Sequence, residues 1–251
     1  MIDNWIVYPK RNPSARMRLF CVPYAGGGVP VYARWPEGLP PSVEVAIVQP
    51  PGRGARLTEA PFTQLSPLVE ALAVAIRPHL EKPCALFGHS VGAVIAFELA
   101  RTLHRGGEPF PVHLIVSGRA APHLPDRNQP LRDLTDADFV REVNRLGGIP
   151  AEVMANSELM SLLLPTLRAD IAVSESYAYA PDGALPCPIT ALGGTDDARV
   201  SGDRVDAWRY HTTAPFARHT IPGDHFFLNT PDGRLRVLEI VSRTLGVGAF
   251  G

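Results

Sequence analysis

Ser90 stands in Gly88-His89-Ser90-Val91-Gly92. A Gly-x-Ser-x-Gly pentad is expected by chance about 0.1 times in a chain of this length at ordinary glycine usage, so its context decides its meaning. A serine hydroxyl is a weak nucleophile near neutral pH. It needs a general base within hydrogen-bond reach and a carboxylate to orient that base. Where the serine sits on a tight strand-to-helix turn, these partners follow it in the order acid, then histidine. Downstream, Leu192-Gly193-Gly194-Thr195-Asp196-Asp197 offers an acid after a strand-like run, and Pro222-Gly223-Asp224-His225-Phe226-Phe227 offers a histidine ahead of the last helical pattern. Asp197, three residues past Gly194, is the expected orienting acid. Asp196 is the alternative and reads more naturally as a turn-capping or solvated residue. His225 is the expected base.

Acyl transfer also requires backbone N–H groups aimed at the developing oxyanion, since the loss of one typically costs about 2.7–4 kcal/mol of transition-state stabilisation. Val91, directly after the serine, is one expected donor. The other is expected from Pro23-Tyr24-Ala25-Gly26-Gly27-Gly28, where three glycines let the chain turn inward, with Ala25 as the candidate. No Gly-Lys-Ser/Thr follows this loop, so it is not a phosphate cradle. His89 adjoins the serine, but at a tight turn its side chain should point away from the hydroxyl. His79, His104, His113, His123, His211 and His219 read as surface or packing residues. No His-x-x-x-His or Cys/His cluster spells a metal site, so none is expected.

These residues need a scaffold, and the apolar pattern supplies one. Strands are expected at 18–22, 43–48, 84–87, 112–116 and 188–192, each bounded by glycine, proline or polar residues. Leu68, Leu72, Ile76 and Leu80 recur every four residues and predict a helix over 66–80, with Ser66 as N-cap and Pro67 at its first position. A second helix follows the pentad and stops at Gly106-Gly107, and Leu235, Leu238, Val241 and Leu245 mark a closing helix. Alternating strands and helices predict a mostly parallel sheet with helices on its faces. Residues 126–179 break the rhythm. They hold no clear strand, a helix start at Thr135 with Asp138 three residues on, and an apolar helix at 159–164 interrupted by Pro165. This reads as a helical cap inserted into a single domain spanning 1–251.

With 24 basic and 25 acidic residues the formal net charge is −1, so no whole-molecule field recruits nucleic acid or anionic lipid. No run of 18 apolar residues occurs and no apolar leader opens the chain, so neither membrane spanning nor secretion is expected. Cys21, Cys84 and Cys187 are odd in number and lack Cys-x-x-Cys spacing, which suits buried, reduced thiols in the cytoplasm.

At the level of whole segments the chain resembles the stand-alone type II thioesterases that accompany polyketide synthases and nonribosomal peptide synthetases. The resemblance rests on Trp5, Pro23-Tyr24-Ala25-Gly26-Gly27, Trp35, Gln49-Pro50-Pro51-Gly52-Arg53-Gly54-Ala55-Arg56, the Ser90 pentad, Leu164-Pro165-Thr166-Leu167-Arg168-Ala169-Asp170, Gly193-Gly194-Thr195-Asp196-Asp197 and His225-Phe226-Phe227-Leu228. It implies an α/β-hydrolase core with a mobile helical lid. It also implies a monomer with no cofactor of its own, hydrolysing acyl groups from the phosphopantetheine arm of acyl or peptidyl carrier proteins. Two positions depart from the family's usual pattern. Val91 replaces a frequent methionine, which is harmless if only its N–H acts. Asp224 replaces a frequent glycine before His225, which sets a carboxylate next to the expected base in the chain. The same three side chains would also serve a carboxylesterase or a cyclising thioesterase, and a chain that had lost its chemistry would act as a carrier-binding module. Lid residues between about 131 and 179 are expected to set the acyl-chain preference.

Overall fold

The computed structural model describes residues 4–126, 129–149 and 151–246. Seven strands occur in chain order: β1 (Ile6–Val7), β2 (Met17–Val22), β3 (Val43–Val48), β4 (Cys84–His89), β5 (His113–Ser117), β6 (Ile189–Gly194) and β7 (Phe216–Ile221). They form one sheet in the order β1-β3-β2-β4-β5-β6-β7. All pairings are parallel except that of β1 with β3, a two-residue antiparallel edge that the sequence pattern did not mark. The inner strands β3 and β4 are buried along their whole length, and mostly apolar, because both faces are covered, as a parallel sheet requires. β7 lies at the other edge and carries the exposed Arg218, His219 and Thr220, polar residues that blunt an open edge.

The helices are α1 (Val29–Tyr32), α2 (Leu65–Ile76), α3 (Val91–Arg105), α4 (Asp136–Arg145), α5 (Ala151–Met154), α6 (Ser157–Glu175), α7 (Gly202–Asp206) and α8 (Pro231–Thr244). Alternate residues of each strand feed opposite faces of the sheet. Phe20, Val22, Leu86 and Val116 pack with Leu72 and Ile76 of α2 and with Val94 and Phe97 of α3. Leu19, Cys21, Phe87 and Ile115 pack with Tyr32, Trp35 and the Val237, Leu238 and Val241 face of α8. All three cysteines are buried and unpaired. No helix among the described residues is long and apolar enough to cross a membrane.

Three expectations are corrected. α2 begins at Leu65 with Gln64 as N-cap, not Ser66. Proline is tolerated anywhere in a first turn, where N–H groups have no helical acceptor, so Pro67 does not define the first position. α6 is not interrupted at Pro165 but runs through it for 19 residues. The carbonyl of Ser161 loses its helical donor there, yet Ser161 and Pro165 both lie on the exposed side, where water can satisfy it. On α8, Leu235 faces solvent at 58% exposure, while Val237 takes the buried place.

Between β5 and β6 the described chain is helical, comprising α4, α5 and α6. Thr135 caps α4 through the N–H of Asp138, as its spacing predicts. Leu131, Phe139, Val143, Ile149 and Leu167 form a separate small core that reaches Ala25 at the C-terminal edge of the sheet. This edge collects the turns after β2, β4, β6 and β7. β2 and β4 are neighbours although the chain leaves them toward opposite sides, the kind of switch point where α/β sheets build sites.

Candidate active site

Ser90 joins β4 to α3 with φ 55° and ψ −119°, the one non-glycine residue of positive φ among those described. Such strain persists only where the surroundings over-determine it. Here a Cβ on Gly88 would fall on the carbonyl of Gly92, and one on Gly92 would fall on the carbonyls of Val22 and Pro23. The glycines therefore let the turn close on itself and let the end of β2 press against the first turn of α3. The Ser90 N–H is fixed by the carbonyl of Ser117 at 2.8 Å.

His225 reaches the serine from the turn after β7, with Nε2 3.0 Å from Ser90 Oγ. Its Nδ1 is 2.8 Å from Oδ2 of Asp197, whose side chain is fully buried. The other Asp197 oxygen accepts the N–H groups of Arg199 and Val200, at 2.8 and 3.2 Å. A carboxylate so surrounded stays an acceptor, so Nδ1 of His225 carries the proton and Nε2 is free to accept from the serine hydroxyl. Asp196 is turned elsewhere, with its carboxylate on the hydroxyl of Thr195. A Cβ at Gly194 would strike the carbonyls of Gly223 and Asp224, so this glycine lets the acid turn and the histidine turn touch. Asp224 spends its carboxylate on the N–H of Phe226 at 2.8 Å.

Val91 opens α3, and its N–H, like those of any first helical turn, has no helical acceptor. The N–H of Ala25 also has no protein acceptor among the described residues. That of the next residue, Gly26, is taken by Oδ2 of Asp170 at 2.7 Å. The Ala25 N–H is thus available in the loop after β2, whose first carbonyls, those of Val22 and Pro23, press on Gly92 of α3.

Several residues had no role assigned from sequence. His89 does point away from the hydroxyl, as expected, but it is fully buried and holds the carbonyl of His225. Burial, then the nearby His225, hold its pKa well below the usual imidazole value. Tyr24 packs edge-on against His89 and Phe226, and burial raises its phenol pKa. Arg53 and Asp170, both within segments that carried the family resemblance, form a bidentate pair with N···O distances of 2.7 and 2.9 Å. Charged residues held in otherwise apolar surroundings were the signal available for them.

Ser90 and His225 line a cavity of about 500 Å³. Its walls include Ala121, Leu124, Leu131, Ile171, Tyr179 and Val200, with Arg119, Arg132, Arg199 and Arg204 against Asp126 and Glu175. His123, expected on the surface or in packing, borders this cavity and bonds to His211 at 2.7 Å. Burial lowers the pKa of Arg119, which hydrogen-bonds Ser174 Oγ at 2.8 Å.

The arrangement is that of a hydroxyl activated for attack on a carbonyl, with a room beside it for an acyl group. Comparison with known proteins agrees in kind. The model of the thioesterase domain matches residues 17–245. Gramicidin S biosynthesis protein GrsT of Aneurinibacillus migulanus is 43% identical over 244 residues, covering 97% of this chain and 94% of its own length. Thioesterase PikA5 of Streptomyces venezuelae is 40% identical over 227 residues, or 90% of this chain and 80% of its own. The structure of RedJ, a thioesterase from the prodiginine biosynthetic pathway in Streptomyces coelicolor, superimposes with a TM-score of 0.88 at 41% identity, covering 94% of this chain and 93% of that one. The chain therefore belongs to the thioesterase family, with the α/β-hydrolase fold, and is a hydrolase acting on thioesters.

Proposed function

We propose that this protein is a type II thioesterase that removes stalled acyl groups from the phosphopantetheine arms of acyl or peptidyl carrier proteins in a polyketide or nonribosomal peptide assembly line. The observation that carries the reading is the continuous hydrogen-bonded line Ser90–His225–Asp197, in a chain similar nearly end to end to proteins of such pathways.

In this reading Ser90 is the nucleophile, His225 the general base and Asp197 the orienting acid. Nε2 of His225 takes the hydroxyl proton as Oγ attacks the thioester carbonyl. The carbonyl oxygen becomes an oxyanion held by the N–H groups of Val91 and Ala25. The C–S bond then breaks, the pantetheine thiol leaves with the proton from His225, and the acyl group stays on Ser90. Water attacks this ester with the same histidine as base, releasing the acid and the free serine. No cofactor beyond the partner's arm is required.

Helices α4 to α6 serve as the lid, and the cavity beneath them takes the acyl chain. The enzyme acts as a monomer in the cytoplasm, where three buried thiols remain reduced. The test compares hydrolysis of one acyl group on a holo carrier protein, on pantetheine and as an oxygen ester. A strong gain in kcat/KM from the carrier is the expected result. Equal rates on the oxygen ester would favour a carboxylesterase, a lactone product a cyclising thioesterase, and no turnover by a correctly folded chain a carrier-binding module.

A further inference from the structure

The loop that supplies the Ala25 N–H contains three consecutive glycines, Gly26 to Gly28, and glycines resist being held in one conformation because they lose the most freedom on ordering. A donor useful to an oxyanion must nonetheless be aimed before the charge appears. Something outside the loop has to hold it.

That support comes from α6. Oδ2 of Asp170 accepts the Gly26 N–H at 2.7 Å and also an Nη1 bond from Arg53 at 2.9 Å. The other oxygen accepts Nη2 of Arg53 at 2.7 Å. Nη1 of Arg53 in turn donates to the carbonyl of Gly27 at 2.8 Å. The pair therefore grips the loop at a donor and at an acceptor one residue apart. Its side chains are only 9% and 12% exposed, so water competes weakly for these bonds. One turn earlier on α6, Thr166 donates to the carbonyl of Gly52, next to Arg53, at 2.6 Å. Leu167 closes over Gly26 so tightly that a Cβ there would meet its Cδ1 at 3.0 Å, and Gly26 has φ +74° besides.

The burial of α6 changes at Pro165. Residues 157–165 are exposed or half-buried, whereas Thr166, Leu167, Ala169 and Val173 are buried. The half that holds the loop is the half packed on the body of the protein.

We propose that Asp170 and Arg53 are positioning residues that aim the Ala25 N–H at the oxyanion, by occupying the Gly26 N–H and the Gly27 carbonyl from the fixed half of α6. This rests on the reading of Ser90 as nucleophile and Ala25 as oxyanion donor. It does not require a carrier protein as partner. In the free enzyme the carboxylate removes Gly26 as a competing donor, and the guanidinium neutralises that carboxylate so that it does not oppose the negative charge forming on the substrate.

The test uses the full chain and a small thioester, butyryl-N-acetylcysteamine, with active sites counted by fluorophosphonate labelling. Asp170→Ala should lower kcat per titrated site by about 10- to 100-fold, near the effect of misplacing one oxyanion donor. KM should change little. The Ki of a butylthio trifluoromethyl ketone should rise by the same factor as kcat/KM falls, because its oxyanion forms when Ser90 Oγ adds to the ketone carbon and its proton passes to His225. Asp170→Asn, which keeps an oxygen for the Gly26 N–H, should recover much of the rate, and Arg53→Lys should fall between. A kcat per site within about twofold of the parent together with an unchanged Ki would overturn the proposal. So would a loss confined to the number of titrated sites, which is the mark of a merely structural pair. Retained turnover by Ser90→Ala would instead reject the serine mechanism itself.

Discussion

His89 Nε2 lies 2.9 Å from the main-chain carbonyl oxygen of His225, the residue whose ring meets Ser90. A carbonyl only accepts, so Nε2 of His89 carries the proton, and its Nδ1 accepts from the Ser117 hydroxyl at 2.8 Å. His89 and Ser117 are register partners on β4 and β5. The residue beside Ser90 thus ties the turn bearing His225 to the centre of the sheet, and a Cβ at Gly118 would collide with its ring.

Replacing His89 by alanine strands a buried carbonyl and a buried hydroxyl and opens a cavity. We expect a loss of about 2–4 kcal/mol in stability, read from urea unfolding, and a lower kcat as the His225 turn loosens. Parental values for both would mean that His89 anchors nothing.

Stability should also depend on pH in a set direction. Burial lowers the pKa of His89 well below 6.5 and those of His113 and His211 to about 4. Each binds fewer protons folded than unfolded between its folded value and 6.5, so their contribution is complete above pH 6.5 and is lost as the pH falls toward 4. Urea midpoints should drop from pH 7.5 to pH 5. His211→Phe, set among Phe97, Trp208 and Tyr179, should show a shallower drop. A steeper one would contradict the assignment.

Asp197→Asn removes the acceptor that keeps the proton on Nδ1 of His225. Thioester hydrolysis should fall by about 10⁴-fold, the order expected when the imidazole takes the wrong tautomer. Asp196→Asn, on the exposed carboxylate, should hydrolyse at close to the parental rate. Equal losses in single-turnover measurements would reopen the choice between the two acids.

Gly92→Ala sets a methyl group on the carbonyls of Val22 and Pro23. Because both are backbone, β2 and α3 must part, at a cost of about 3 kcal/mol and with loss of turnover. Gly107→Ala, with open space around it and φ +65°, should cost only about 1–2 kcal/mol from its left-handed backbone. Thermal unfolding of the two variants compares them directly.

Ile171→Phe adds volume to the α6 wall of the cavity. If the acyl chain occupies that room, kcat/KM for decanoyl thioesters should fall by at least about 10-fold while acetyl thioesters stay within a few-fold, following the 1–3 kcal/mol expected for a tightened apolar pocket. A uniform decrease across chain lengths would place the chain elsewhere.

The elements were legible where pattern and environment coincide. The inner strands are mostly apolar because both faces of a parallel sheet are buried, and Thr135 caps α4 because its side chain meets an N–H three residues on. The errors arose where tertiary packing overruled a local rule. Gln64 rather than Ser66 precedes α2, whose first residue, Leu65, is pulled into the core, and α6 passes Pro165 because long-range contacts hold its second half. Arg53 and Asp170 were visible as parts of matching segments but had no stated partner, since 117 residues separate them and nothing local pairs them.

The chemistry on offer was written in the order of the residues. A serine between two glycines, an acid and a histidine in the right order, and a glycine loop after the first long strand are covalent facts, and the stereochemistry of a tight turn limits what they can do. Tertiary structure alone decided which groups meet. It turned Asp197 inward and Asp196 outward, put His89 behind His225, and set α6 on the Gly26 to Gly28 loop. Those choices depend on separations held to within a few tenths of an ångström between segments far apart in the chain, and only the packing of the sheet and its helices fixes them so closely.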